Sequence, residues 1–224
     1  LFCVHPGGGS VFCYLDLARA LSAEVSVYGI QSHGIEDDLS TPDKIESMAQ
    51  EYLAAIRTVS ANRPFYLCGW SFGGLVAFEM AKHLKPHERA APVMLIDSGK
   101  LHAFHVLSTI LPDINVPLFQ VPWLDEQDLL KTFCRHNQTT RLIPDGADRK
   151  LQRQIFRIFM SNVEATLRYQ PGRIDADLVS IEAEQRLPKM RRPASAEWHD
   201  RCRHMEVFQA RGDHLTMVQR PFVS

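Results

Sequence analysis

The chain has 224 residues, 45% of them hydrophobic and 23% charged, with 13 Pro and 12 Gly. That balance excludes a disordered chain, a collagen-like repeat and a coiled coil. Lys and Arg total 25 against 26 Asp and Glu, a formal net charge of −1, which gives neither nucleic acid nor an anionic membrane a reason to bind.

A chain of this length buries roughly 70% of its unfolded surface and needs no disulfide or metal to fold. No run of about 18 residues is free of charge, so no membrane-spanning helix is expected. The five cysteines, at 3, 13, 68, 134 and 202, are odd in number and lack CxxC spacing. They supply no zinc or disulfide framework and point to a reducing cytosol.

Strand and helix patterns alternate from the start. Leu1 to Val4 reads as a short apolar strand, followed by a glycine turn and a helix from about Val11 to Leu21. Val25 to Ile30 is the next strand, and a polar loop then runs to Thr41, an N-cap with Pro42 at the first helical position. Ile45, Met48, Ala49, Tyr52, Leu53, Ile56 and Val59 form one apolar helical stripe. Phe65 to Gly69 is a strand, Phe72 to Leu84 a helix, and Pro92 to Asp97 another continuous apolar strand. Strands apolar on both faces and separated by helices predict a parallel sheet covered on both sides.

From Ser98 to about Gly172 the strand signal disappears, and helical stretches near 102–111, 125–137 and 148–168 replace it. Strands resume at Leu178 to Ile181 and Met205 to Phe208, and Pro221 to Ser224 reads as the start of a helix. The prediction is therefore an α/β core of residues 1–97 and 173–224 with a helical insertion at 98–172. A start within a strand, with neither Met nor a basic leader, predicts a domain excised from a larger parent and no signal peptide.

The strongest local motif is Gly69-Trp70-Ser71-Phe72-Gly73-Gly74. It satisfies G-x-S-x-G between a strand and a helix, the context of a nucleophile elbow. Gly69 and Gly73 leave room for the sharp turn, Ser71 Oγ stands at the carboxyl edge of the sheet, and the Phe72 N–H can face an oxyanion. Ser71 then needs a base and an orienting acid. His214, just after an apolar strand, is the candidate base, and Asp97, at the end of PVMLID, is the favoured acid over Glu182 or Glu184. Asp213 reads as a turn residue, and of the other histidines His5 stands out because it precedes the glycine loop. His5-Pro6-Gly7-Gly8-Gly9-Ser10 occupies the place of a glycine-rich oxyanion loop, with the Gly7 N–H as second donor and Gly8 behind it.

LFCVHPGGGSVFCYLDLARAL, YGIQSHG, MAQEYLAAIR, YLCGWSFGGLVAFEMA, LIDS and GDHLTMV occur in this order. Together they resemble the type I thioesterase domain of nonribosomal peptide synthetases and related polyketide synthases, from residue 1 to about 220. The resemblance implies an α/β-hydrolase fold with a helical lid at 98–172, Ser71 as nucleophile, Asp97 as acid, His214 as base, and Gly7 and Phe72 as oxyanion donors. It also implies a terminal domain of a bacterial or fungal assembly line for secondary metabolites such as antibiotics, cytoplasmic and without a metal or cofactor of its own.

Its partner would be a carrier domain, which delivers an acyl chain on a phosphopantetheine thioester. The products would be an acid or a macrocycle. Phe156, Phe159 and Met160 of the lid would line an acyl channel, or alternatively pack the lid onto the core. The competing readings are a stand-alone editing thioesterase, a general esterase, lipase or peptidase, and a hydrolase fold used only for binding.

Overall fold

The structure, a computed structural model, describes residues 1–35, 42–61, 63–88, 92–100, 125–135, 142–186 and 192–223. Among these, six strands form one sheet: β1 (Phe2–Val4), β2 (Tyr28–Ile30), β3 (Leu67–Trp70), β4 (Val93–Ile96), β5 (Asp177–Gln185) and β6 (His204–Asp213). The order is β2-β1-β3-β4-β5-β6 and every neighbouring pair is parallel. The chain leaves β1 to one side for β2 and returns to its other side for β3. The order thus reverses between β1 and β3, and open α/β sheets bind ligands in the crevice beyond the carboxyl ends at such a point.

The helices are α1 (Leu15–Leu21), α2 (Ile45–Ser60), α3 (Phe72–Lys82), α4 (Glu126–Arg135) and α5 (Arg149–Arg168). All residues of α3 from Phe72 to Ala81 are buried, as expected of a helix apolar on every side. The predicted stripe of α2 is buried from Ile45 to Ile56 and packs on the same core as α3, while Val59 turns outward and Ser60 takes the buried position. Four central strand residues, Cys3, Val4, Cys68 and Leu95, are at most 1% exposed, because a parallel sheet covered on both faces has no solvent side. All five cysteines are free thiols.

Several sequence expectations need correction. The first helix opens as a 3-10 turn at Phe12–Tyr14 and becomes α-helical only at Leu15. Pro42 is not the first residue of α2. Lys44 is still extended and the helix begins at Ile45, the first residue of the buried stripe, so packing rather than the proline sets the start. The strand expected at Val25 to Ile30 shortens to β2, whereas the last two strands run several residues further than their apolar runs, since strand pairing needs no apolar side chain at an edge. Residues 214–222 make isolated turns, not a helix. Thr41 and the helix expected at 102–111 lie outside the described residues.

Between β4 and β5, α4 and α5 build a hydrophobic cluster of their own from Leu129, Phe133, Ile143, Ile155, Phe156 and Phe159. Asp148 caps α5 by accepting from the Leu151 N–H at 2.8 Å. The far end of α5 belongs to the main core through Ala165, followed by Tyr169. Among the described residues, no helix is long and apolar enough to cross a membrane.

Candidate active site

Ser71 is the hinge between β3 and α3, with φ 56° and ψ −123°. A non-glycine residue at positive φ is strained and persists only where surrounding structure imposes it. The imposition here is close packing. A Cβ on Gly69 would run into the backbone of Gly73 and Gly74, and one on Gly73 would run into the carbonyls of Val4 and His5. The first turn of α3 therefore lies directly against the end of β1. Ser71 is also tied across the sheet, its N–H donating to the Ile96 carbonyl at 2.9 Å.

Asp97, the residue after β4, is a second strained position at φ 43°. Its N–H donates to the Ile181 carbonyl at 2.7 Å, and its Oδ1 accepts from the Ala183 N–H at 3.3 Å. Its other oxygen, Oδ2, accepts from His214 Nδ1 at 2.8 Å. Because that proton occupies Nδ1, Nε2 is the acceptor nitrogen, and it lies 3.0 Å from Ser71 Oγ. Asp97 and His214 are 3% and 1% exposed. Three residues from three loops at one sheet edge thus form a continuous hydrogen-bonded chain. Glu182 is engaged elsewhere, accepting from the Ser195 N–H (2.8 Å) and from Gln209 (3.2 Å), and Glu184 is exposed.

Asp213 shapes the turn that carries His214, its Oδ1 accepting from the N–H groups of Leu215 and Thr216 and from the Thr216 hydroxyl. The Trp70 indole N–H donates to the His214 carbonyl at 3.0 Å, and its ring lies 5.4 Å from the imidazole. Tyr14 bridges the two strands that part at the crevice. Its hydroxyl donates to the Val4 carbonyl and accepts from the Trp70 N–H, each at 2.7 Å.

Phe72 opens α3, so its N–H has no intrahelical partner. The glycine loop follows β1 and is covered from above by the insertion. Phe159 lies 3.4 Å from where a Cβ on Gly7 would stand, Leu142 lies at a similar distance from Gly8, and Ile158 fills the corresponding space at Gly9. Asn162 of α5 donates to the Gly7 carbonyl at 2.8 Å. Phe156 is turned into the α4–α5 cluster against Phe133, with ring centroids 5.5 Å apart, and Met160 packs on the same cluster half-buried. Of the three apolar side chains expected along a channel, Phe159 is the one set against the glycine loop. A groove of about 400 Å³ is lined by Pro6 and Gly8 of that loop together with Phe12, Trp70, Leu142 and Gln219.

His5 is fully buried. Its Nδ1 donates to the Pro6 carbonyl at 2.8 Å, and its Nε2 accepts from the Tyr52 hydroxyl at 2.7 Å. Burial pushes its pKa down to about 4, so the ring is neutral at physiological pH. Trp70 and His5 carry a sequence signal, one inside the elbow motif and the other beside the glycines. Tyr14, Tyr52 and Asn162 carry none, because their partners are fixed only by the assembled fold.

The family model described as "Thioesterase domain" matches residues 1–223. A dimodular nonribosomal peptide synthase of Bacillus subtilis (strain 168) is 37% identical over 103 residues, which is 46% of this chain and 4% of that protein. The chain thus spans a few per cent of the length of the first curated relatives it matches. Among solved structures, a four-domain nonribosomal peptide synthetase bound to AMP and glycine superposes with a TM-score of 0.77 at 22% identity, covering 99% of this chain and 18% of that one. The NocB thioesterase domain, in covalent complex with a fluorophosphonate nocardicin G analogue, superposes at 0.72 and 21% identity, covering 100% of this chain and 88% of that one. These two likenesses establish the α/β-hydrolase fold.

Proposed function

The chain belongs to the thioesterase domain family, and from that premise we propose that it releases a peptidyl or acyl chain from the phosphopantetheine thioester of a carrier domain, by way of an acyl-enzyme on Ser71. The observation that carries this reading is the hydrogen-bonded chain Ser71–His214–Asp97 at the switch point of the sheet. The relatives are nonribosomal peptide synthetases, in which a growing chain travels as a carrier-bound thioester. Residues 1–97 and 173–224 serve as the catalytic core and 98–172 as a lid over it.

The chemistry follows from the geometry. His214 Nε2 takes the Ser71 hydroxyl proton as Oγ attacks the thioester carbonyl. Asp97 holds the Nδ1 proton, fixes the tautomer and stabilises the imidazolium that forms. The tetrahedral oxyanion is received by the N–H groups of Gly7 and Phe72, and in other enzymes one such donor is worth about 2.7–4 kcal/mol. The C–S bond breaks, His214 returns its proton to the departing thiolate, and the acyl group stays on Ser71. His214 then deprotonates either water, giving the acid, or an amine or hydroxyl of the chain itself, giving a ring.

Phe159 over Gly7 keeps bulk water from the oxyanion, and the groove beside the loop is in the size range of small-molecule sites. The fluorophosphonate adduct of the NocB domain suggests the test. Ser71 Oγ should displace fluoride from a fluorophosphonate probe, and Ser71→Ala should abolish labelling. The parent should also hydrolyse or cyclise acyl-pantetheine thioesters faster than matched simple esters. An unlabelled parent sinks the proposal, and a preference for the esters makes the chain a general esterase.

A further inference from the structure

To receive an oxyanion, the Gly7 N–H must be aimed at it. A trans peptide holds its carbonyl and its N–H antiparallel in one plane, so whatever fixes the Pro6 carbonyl fixes the Gly7 N–H. Two donors converge on the Pro6 oxygen, the Gly9 N–H at 2.9 Å and His5 Nδ1 at 2.8 Å. They occupy its two lone pairs, and the N–H at the other end of the same peptide turns away from them. Among the described residues the Gly7 N–H has no protein acceptor, and Gly7 itself is only half-buried.

His5 can do this in one tautomer only. With the proton on Nδ1 it donates to Pro6. With the proton on Nε2 it would set two acceptors, Nδ1 and the carbonyl oxygen, against each other. The Pro6 carbonyl, which can only accept, sets the proton on Nδ1, and the Tyr52 hydroxyl, donating to Nε2 from α2 at 2.7 Å, satisfies the other nitrogen and holds the ring in place. The imidazole also lies on the Phe72 ring, with centroids 5.9 Å apart and planes 24° from parallel. Phe72 carries the other N–H of the oxyanion site. One buried ring thus bonds the peptide that carries the Gly7 N–H and stacks beside the residue that carries the other donor.

We infer that His5, anchored by Tyr52 and donating from Nδ1 to the Pro6 carbonyl, is a positioning residue that aims the Gly7 N–H at the developing oxyanion. The inference rests on the reading of Gly7 as an oxyanion donor. Full burial and a pKa of about 4 keep the ring neutral at physiological pH.

The test uses three variants. His5→Gln removes the donor at Nδ1. His5→Asn replaces it, since the asparagine amide nitrogen sits close to where Nδ1 was. Tyr52→Phe removes only the hydroxyl that anchors Nε2. Each is assayed with the acyl-pantetheine thioester the parent turns over fastest, and with octyl trifluoromethyl ketone, whose serine adduct puts an oxyanion in the site. His5→Gln should lower kcat about 10- to 100-fold, below the loss expected for a whole missing donor. KM should stay within about twofold, and the inhibition constant of the ketone should rise by a factor matching the kcat loss. His5→Asn should recover most of both, and Tyr52→Phe should fall between.

Parental kcat and ketone affinity in His5→Gln overturn the inference, as does an asparagine variant as defective as the glutamine one. If His5→Gln does not fold, Tyr52→Phe decides, and unchanged kcat and ketone affinity there overturn it too. A parent whose Ser71 resists fluorophosphonate defeats the underlying function, whereas a labelled parent with undisturbed variants defeats only the role of His5.

Discussion

Asp97 divides its two oxygens between two tasks. One accepts from the Ala183 N–H and holds the carboxylate in place, and the other accepts the His214 Nδ1 proton. Replacing it with asparagine keeps the shape but presents an amide that can donate where the imidazole must donate. The imidazole is then driven toward the other tautomer. Asp97→Asn should lower kcat by about 10³- to 10⁴-fold with little change in KM, and Glu182→Gln should leave kcat near the parental value because Glu182 bonds to Ser195 and Gln209 instead. Steady-state kinetics on an acyl-pantetheine thioester distinguish the two, and the opposite pattern would transfer the acid role to Glu182. These residues were legible before any coordinates because a motif or a strand end marks each of them. The residues that hold them were not. Tyr52 meets His5 across 47 positions of sequence, Trp70 meets His214 across 144 and Asn162 meets Gly7 across 155, and no local pattern encodes such pairs.

Among the elements, helices declared themselves through continuous apolar stripes, while boundaries depended on contacts. Pro42 reads as a helix start, yet α2 begins at Ile45, the first buried residue of its stripe. Its last turn is tied down by charge. Arg57 donates from Nε and Nη2 to Glu88 at 2.7 and 3.0 Å, and to the His83 carbonyl at 3.1 Å. This pins the last turn of α2 to the segment after α3. The Arg57 guanidinium pulls the Glu88 carboxyl down to about 2 from an ordinary 4.5. A depressed carboxylate stabilises the fold above its unfolded pKa, and the contribution fades as pH falls from about 4.5 toward 2. Glu88→Gln should therefore lower unfolding free energy at pH 7 by about 1.5–3 kcal/mol, the usual worth of hydrogen bonds to charged groups. In urea titrations the gap to the parent should narrow as pH is lowered from 5 to 3. A gap independent of pH would mean that Glu88 acts through packing, not charge.

At the scale of the whole molecule, α5 connects two hydrophobic cores. Its first half, through Ile155, Phe156 and Phe159, forms the small cluster with α4. Its end is rooted in the main core by Ala165 and by the adjacent Tyr169, whose hydroxyl donates to buried Glu79 at 2.8 Å. Lys100, just beyond β4, donates to the carbonyls of Leu167 and Tyr169. A cantilever of this kind can loosen at its free half while its root holds, because separate clusters open at separate free energies. Phe133 tests it. It is 1% exposed and packs edge-on against Phe156 and at a tilt against Phe159, and its truncation to alanine should cost about 3–5 kcal/mol within the cluster it occupies. Amide hydrogen exchange of Phe133→Ala should speed up in α4 and in residues 149–160, and should stay parental in α3, in β3 to β5 and at 163–168. Because Phe159 covers Gly7, kcat should fall in the same variant while Ser71 still reacts with fluorophosphonate. Uniform loss of protection across both cores would instead mean that they unfold as one, and that the cover over the glycine loop cannot move independently of the sheet beneath it.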